Sequence, residues 1–96
     1  MMDSMKRLVS LSAEDNAATA LSDISPGDEC CLEVAGNKYK FNAEEGIPFG
    51  HKVALIDFQP GDQVIKYGEI IGRATKTIKK GSHLHIHNVV SDRVVK

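Results

Sequence analysis

Tryptophan is absent from this 96-residue chain, and aromatic residues make up only 5% of it. That excludes a platform of stacked rings for single-stranded nucleic acid. No charge of one sign dominates either, with 12 basic residues against 13 acidic ones and a net charge of −1. This balance supplies neither the basic footprint of a nucleic-acid binder nor a polybasic membrane patch. No run approaches the ~18 apolar residues of a membrane span. Residues Met1 to Ser10 carry early charges and lack the apolar centre of a signal peptide, so a cytoplasmic protein is expected. Cysteine is scarce: Cys30 and Cys31 are adjacent and stand alone. No CxxC and no Cys–His zinc spacing exists, and adjacent cysteines rarely bridge each other. They read as reduced thiols on opposite faces of a strand.

What remains is enough for one small domain with a modest core. Hydrophobic residues reach 42%, and eight glycines and three prolines interrupt them often. Frequent breaks with short apolar runs between them indicate an all-β fold. The expected strands are Glu29–Val34, Lys38–Asn42, Lys52–Leu55, Gln63–Ile65, Ile70–Thr75 and His83–Val89. Gly36-Asn37 suits a hairpin turn. Arg7–Leu11 alternates like an edge strand. Ser12-Ala13-Glu14-Asp15 resembles a capping box, predicting one short helix or helical turn that continues through Asn16-Ala17-Ala18-Thr19-Ala20-Leu21 and ends near Ser22. The domain is drawn at residues 7–90, with a disordered N-terminal tail at 1–6 and a C-terminal tail at 91–96.

A weak internal repeat runs through it. Asp23-Ile24-Ser25-Pro26-Gly27-Asp28 matches Asp57-Phe58-Gln59-Pro60-Gly61-Asp62, and Thr77-Ile78-Lys79-Lys80-Gly81-Ser82 is a looser third copy. Each sets an apolar anchor and a tight turn ending in glycine before a strand. A sheet folded back on itself by similar corners follows, but not a solenoid.

The chemistry-bearing residues concentrate in His83-Leu84-His85-Ile86-His87-Asn88. On a strand, period-two alternation would put three imidazoles on one face, with Leu84 and Ile86 on the other. Imidazoles so spaced suit a metal such as iron or zinc, a substrate carboxylate or a proton in transit. A solvated polar face is the bland alternative. Gly50-His51-Lys52 and Lys66-Tyr67-Gly68 add cations and hydrogen-bonding groups beside glycines, although each alone could be surface decoration. The second is no phosphate-binding loop, since it lacks the GK[ST] ending and a following helix. Glu44-Glu45 reads as solvated, and no Ser/His/Asp arrangement is present.

Taken in order, Asp15-Asn16, Ile47-Pro48-Phe49-Gly50-His51-Lys52-Val53-Ala54-Leu55, Val64-Ile65-Lys66-Tyr67-Gly68-Glu69-Ile70-Ile71-Gly72-Arg73-Ala74 and Gly81-Ser82-His83-Leu84-His85-Ile86-His87-Asn88 resemble a known family. It is the N-terminal SAF-type, or β-clip, domain of altronate/galactarate dehydratases, including split members such as the sulfolactate sulfo-lyase small subunit. The resemblance covers roughly residues 7–90. It implies a compact β-clip domain acting as the small subunit of a hydro-lyase or sulfo-lyase. Such an enzyme eliminates water or sulfite from a hydroxylated sugar acid, with Fe2+ or another divalent metal. Activity would require a large partner subunit, and a homo-oligomer is compatible with it. By motif position, the resemblance implies His85 and His87 as catalytic and metal-proximal residues. It implies Asn88, His51, Lys52, Lys66, Tyr67 and Gly68 as substrate-binding. Where many relatives carry His-Pro, this chain has Ser12-Ala13, which leaves open a non-catalytic carbohydrate-binding or assembly module. A stand-alone metalloprotein built on the three histidines is a further alternative, weakened by the lack of a nearby carboxylate ligand.

Overall fold

The computed structural model describes residues 5–91. Among these the fold is all-β, with nine strands and no helix. The strands are β1 (Lys6–Val9), β2 (Ala17–Ala20), β3 (Glu29–Val34), β4 (Asn37–Asn42), β5 (Lys52–Ala54), β6 (Gln63–Lys66), β7 (Glu69–Ala74), β8 (His83–Leu84) and β9 (Val89–Ser91). Six of them form one sheet in the order β4-β3-β1-β2-β5-β8, and β6-β7-β9 form a second. The expected tails fall largely outside the described residues, although Lys6 opens β1 and Ser91 closes β9.

Strands β2 and β5 are the shared wall of two apolar clusters. On one side lie Ala18, Ala20, Val53 and Leu55, with Leu8, Ile24, Leu32 and Ile47. On the other lie Ala17 and Ala54, with Phe58, Val64, Ile78 and Leu84. Period-two alternation sends successive residues to opposite clusters, so each strand serves both. Phe58, Val53, Val64 and Leu84 are fully buried.

Four corners close the two sheets, one more than the sequence repeat suggests. Ile24, Ile47, Phe58 and Ile78 are the buried anchors. They pair as antiparallel bridges, Ile24 with Ile47 and Phe58 with Ile78. After each anchor comes a turn whose glycine has positive φ, Gly27 at 87°, Gly50 at 87°, Gly61 at 94° and Gly81 at 93°. The glycine is third in every turn, where a type II turn requires that conformation. Each turn glycine then donates its N–H to an alanine carbonyl: Gly27 to Ala43, Gly50 to Ala20, Gly61 to Ala74 and Gly81 to Ala54. Asp23 and Asp57 tie the corners together in pairs, accepting the N–H of Phe49 and of Lys80 at 2.8 Å. The chain is therefore two similar halves, each with two corners and one hairpin. The fourth corner, Ile47-Pro48-Phe49-Gly50, escaped the pattern because its proline follows the anchor directly instead of preceding the glycine.

Four expectations need correction. The predicted helix at Ser12–Leu21 is a single turn followed by β2. Asp15 donates its N–H to the Ser12 carbonyl, and the Ser12 hydroxyl accepts the Glu14 N–H. The alanines then pair with β1 and β5, where only small side chains fit between two cores; tertiary packing overrides helix propensity. Strand β1 is not an edge, because it pairs with β2 on one side and in parallel with β3 on the other. The first hairpin turns on Ala35-Gly36, one residue earlier than expected, with both φ values positive. Tyr67-Gly68 turns the second hairpin in the same way. Lastly, His83–Val89 is not one strand, for reasons that define the site.

Candidate functional site

Only His83 and Leu84 of the histidine run are extended. Residues 85–88 then form a tight turn, with Asn88 and Val89 both donating their N–H to the His85 carbonyl. The cause is Asn88, which is buried. Its Oδ1 accepts the His85 N–H at 2.9 Å, and its Nδ2 donates to the His83 carbonyl at 2.9 Å. An asparagine that bonds nearby backbone offers the chain an alternative to a sheet ladder. Leu84 is therefore buried while Ile86 is 86% exposed, so the two do not share a face.

The turn still gathers the imidazoles, by a route other than alternation. The His83 and His85 rings stack with centroids 5.1 Å apart, and His87 lies 5.7 Å from His83. Strand β5 pairs with β8, placing Val53 opposite His83 and carrying His51 into the group. His51 Nδ1 is 2.9 Å from His83 Nε2. Hydrogen bonding at that distance needs one proton between two ring nitrogens, so one of the facing nitrogens is unprotonated. His51, His83 and His85 each offer a ligand nitrogen within 4.8 Å of the other two. His87 stands at the edge of this triad, 6.4 Å from His85 by ring centroid.

Burial pushes the His83 pKa below the ordinary 6.5, and the neighbouring His51, His85 and His87 push it the same way. Glu45 opposes them, and its Oε2 accepts the His83 backbone N–H at 3.0 Å. Glu45 is thus half-buried and bonded to β8, not solvated as its acidic loop suggested. Among the described residues no carboxylate joins the three-histidine group.

Beside the imidazoles runs an open groove of about 520 Å³. One wall carries Lys66, Tyr67 and Glu69 from the second hairpin, and another carries Lys52, His85 and Ile86. Lys66 Nζ sits 3.4 Å above the Tyr67 ring centroid, a cation–π contact. The same ammonium is the main cause that holds the Tyr67 phenol below its ordinary 10. Tyr67 is 48% exposed and lines the groove.

Sequence reasoning gave Asp15 and Asn16 only places in the expected helix, and the structure gives them another role. Asp15 is buried; its Oδ2 accepts the Ser10 hydroxyl at 2.6 Å and its Oδ1 accepts the Gly68 N–H at 2.7 Å. Burial raises its pKa, but the bonds from Ser10, Gly68, Tyr67 and Leu11 outweigh that and hold it below 3.8. Asn16 accepts the Ile65 N–H and donates to the Gln63 carbonyl. Together the two residues fasten the β6–β7 hairpin, and with it Lys66 and Tyr67, to the larger sheet. An Asp-Asn pair just ahead of a strand was the available signal, but its partners lie about fifty positions away in the chain.

The residues singled out in the sequence therefore fall into three groups. His51 and His85 meet in the imidazole cluster, with His87 at its edge. Lys52, Lys66 and Tyr67 line the groove. Asn88 and Gly68 have their polar groups committed to the fold, one to the histidine turn and the other to Asp15. His83, which the resemblance did not name as a site residue, is the hub of the cluster.

The donor set suits a divalent ion of borderline softness. Imidazole nitrogens bind Zn2+, Fe2+ and similar ions, whereas Mg2+ and Ca2+ prefer oxygen. Two nitrogens held by one ion at ~2.0–2.1 Å stand roughly 3 Å apart. The spacing of His51 Nδ1 and His83 Nε2 already meets that, so these residues fit the group that the sequence implied.

A family model described as the altronate/galactarate dehydratase SAF domain matches residues 6–92. The chain is 36% identical over 84 residues to an altronate dehydratase of Bacillus subtilis, covering 88% of this chain and 16% of that protein. It is 43% identical over 54 residues to (2R)-sulfolactate sulfo-lyase subunit alpha of Chromohalobacter salexigens, covering 56% of this chain and 57% of that subunit. Against the same-named subunit of Paracoccus pantotrophus, identity is 39% over 64 residues, covering 67% of this chain and 96% of that subunit. The chain thus spans a small part of the dehydratase and just over half of the first sulfo-lyase subunit.

Proposed function

The chain belongs to the altronate/galactarate dehydratase SAF-domain family, and we propose that it is the small component of a two-component lyase. Its reaction is β-elimination from a hydroxylated sugar acid or related hydroxy acid, with water or sulfite leaving. The observation that carries this reading is the cluster of His51, His83 and His85, whose His85 lines a groove that presents Lys52 and Lys66. The family relatives support it by their names, as dehydratases and sulfo-lyase subunits.

Elimination beside a carboxylate needs a hold on that carboxylate, a base for the α-proton and a path for the proton to the leaving group. Lys52 and Lys66 bind the carboxylate by charge-assisted hydrogen bonds. The Tyr67 hydroxyl donates to a substrate oxygen from the same wall. His85 lines the groove and stands next to His83, so it removes or returns the proton there. His83, kept neutral near pH 7 by burial, receives that proton and shares it with His51. His87 serves at the open edge of the cluster. Asn88 and Asp15 act as positioning residues, the first for the histidine turn and the second for the Lys66-Tyr67 wall. A divalent ion such as Fe2+ held by His51, His83 and His85 would occupy the nitrogens of that relay and so replace it, supplying Lewis-acid polarisation of the substrate instead.

An open groove on a single small domain does not exclude water from a reacting sugar acid. The chain alone is therefore inactive, and its large partner closes the site. The test is formation of 2-oxo acid from altronate, galactarate and sulfolactate, by the chain alone and with the dehydratase-family large chain of its own genome. Turnover only in the mixture supports the reading, and turnover by the chain alone contradicts the requirement for a partner. Saturable sugar-acid binding without turnover in the mixture would favour the non-catalytic module, a reading to which Ser12-Ala13 in place of His-Pro lends support.

A further inference from the structure

Nothing in the fold requires a tyrosine at position 67. The two hairpins turn alike, on Ala35-Gly36 and on Tyr67-Gly68, with both φ values positive in each. Such turns favour Asn, Asp and Gly, and a bulky side chain at positive φ is an outlier. The first hairpin does with alanine what the second does with tyrosine, whose side chain stays half-exposed. An unusual backbone conformation kept without a gain in packing points to function.

The surroundings of Tyr67 favour release of its proton. Lys66 Nζ stands 3.4 Å above the ring centroid, and a cation so placed stabilises the phenolate. The Thr19 hydroxyl pulls the same way, and apart from that phenol it has no hydrogen-bond partner among the described residues. Burial and the Asp15 carboxylate oppose them and are outweighed. Thr19 pairs with Lys52 in the β2–β5 register, so its side chain shares a face with a lysine that lines the groove. Asp15 accepts the Gly68 N–H and so holds the turn that carries the ring.

Elimination of water needs an acid as well as a base, because hydroxide leaves poorly. Tyr67 and His85 line one groove from different elements. We propose that Tyr67 is the general acid of the elimination, giving its phenolic proton to the departing hydroxyl while His85 takes the α-proton. This rests on the lyase reading above and selects water as the leaving group. The electron pair of the α C–H bond becomes the new C=C bond. The pair of the β C–O bond leaves with the oxygen, which departs as water carrying the phenolic proton. The phenolate stays beside the Lys66 ammonium until the α-proton returns to it through solvent, and the enol product tautomerises to the 2-oxo acid.

The experiment has two arms. In the chain alone, the ultraviolet titration of wild type minus that of Tyr67→Phe isolates the Tyr67 phenol. It is expected to ionise below the ordinary 10, and Lys66→Met is expected to move it upward. Ionisation at or above 10, or no response to Lys66→Met, overturns the proposal. In the complex with the large chain, Tyr67→Phe is expected to lower kcat on the sugar acid by about 10²- to 10⁴-fold, with its melting point unchanged. A sugar acid with chlorine in place of the β-hydroxyl needs no proton for departure, so Tyr67→Phe should eliminate it within about threefold of the wild-type rate. Equal losses on both substrates would assign Tyr67 to binding and overturn the proposal. A wild-type complex that eliminates sulfite and not water overturns it too, and leaves the lyase reading standing. A wild-type complex that eliminates neither removes both.

Discussion

Replacing Asn88 by Ala removes the device that shapes the histidine turn. The side chain is buried and makes two hydrogen bonds of 2.9 Å, to the His85 N–H and the His83 carbonyl. Each bond contributes about 1 kcal/mol net, and a backbone group left buried and unpaired costs about 1–3 kcal/mol. Asn88→Ala should therefore lower stability by roughly 2–4 kcal/mol, a large share of the ~5–15 kcal/mol typical of a domain. At about 4–8 °C per kcal/mol for a domain of this size, the melting point falls by at least ~8 °C. Asn88→Asp keeps the acceptor but sets a carboxylate oxygen against the His83 carbonyl in a buried site, so its loss should be no smaller than that of Asn88→Ala. Urea and thermal melts followed by circular dichroism read both values. A loss below ~0.5 kcal/mol for Asn88→Ala would refute the claim that this side chain builds the turn.

Three further outcomes are expected. Asp15→Ala orphans the Gly68 N–H and the Ser10 hydroxyl and should cost about 1–3 kcal/mol, whereas Asp15→Asn should retain most of it. Because the folded pKa of Asp15 is depressed, its stabilisation is complete above about pH 4 and drains away as the pH falls through the lowered value. Acid titration of stability should be flatter in Asp15→Asn, and an unchanged slope would contradict that assignment. Cys30 is buried with its thiol pushed up to about 11, and Cys31 is half-buried, both free. A thiol reagent at pH 8 should modify one cysteine in the native protein and two in denaturant; two rapid modifications in the native state would be inconsistent with the burial of Cys30. Gly81→Ala should destabilise more than Gly27→Ala by at least ~2 kcal/mol in urea melts. Both glycines have positive φ, but a Cβ at Gly81 would lie 2.6 Å from the Asn42 carbonyl oxygen, while one at Gly27 meets nothing within 4 Å. Equal losses would show that the close approach at Gly81 is not what makes that corner glycine necessary.

The architecture was legible where it depended on local chemistry. The Pro-Gly-Asp turns marked two corners outright, since their φ requirement is written into adjacent residues. Alternation in Glu29-Cys30-Cys31-Leu32-Glu33-Val34 identified β3 and put the two thiols on opposite faces, one buried and one half-buried. The alanine-rich segment misled, because alanine serves both a free helix and a strand squeezed between two cores, and only the distant partners β1 and β5 decide. The histidine run misled for a subtler reason. Period-two spacing is the signature of a strand, but Asn88 competes for the same backbone groups and wins locally. The imidazoles cluster all the same, through β5–β8 pairing that joins His51 to His83 across 32 positions. Glu45 and Asp15 reach the site through contacts equally remote in sequence, which composition and spacing do not encode.

The central claim is that the imidazole cluster performs proton transfer once a large partner closes the groove. The most direct measurement is steady-state elimination by the assembled complex, comparing wild type with His85→Ala at saturating sugar acid. The account predicts a fall in kcat of about 10²- to 10⁴-fold with the complex intact and the domain's melting point unchanged. A His85→Ala complex that turns over as fast as wild type would contradict it.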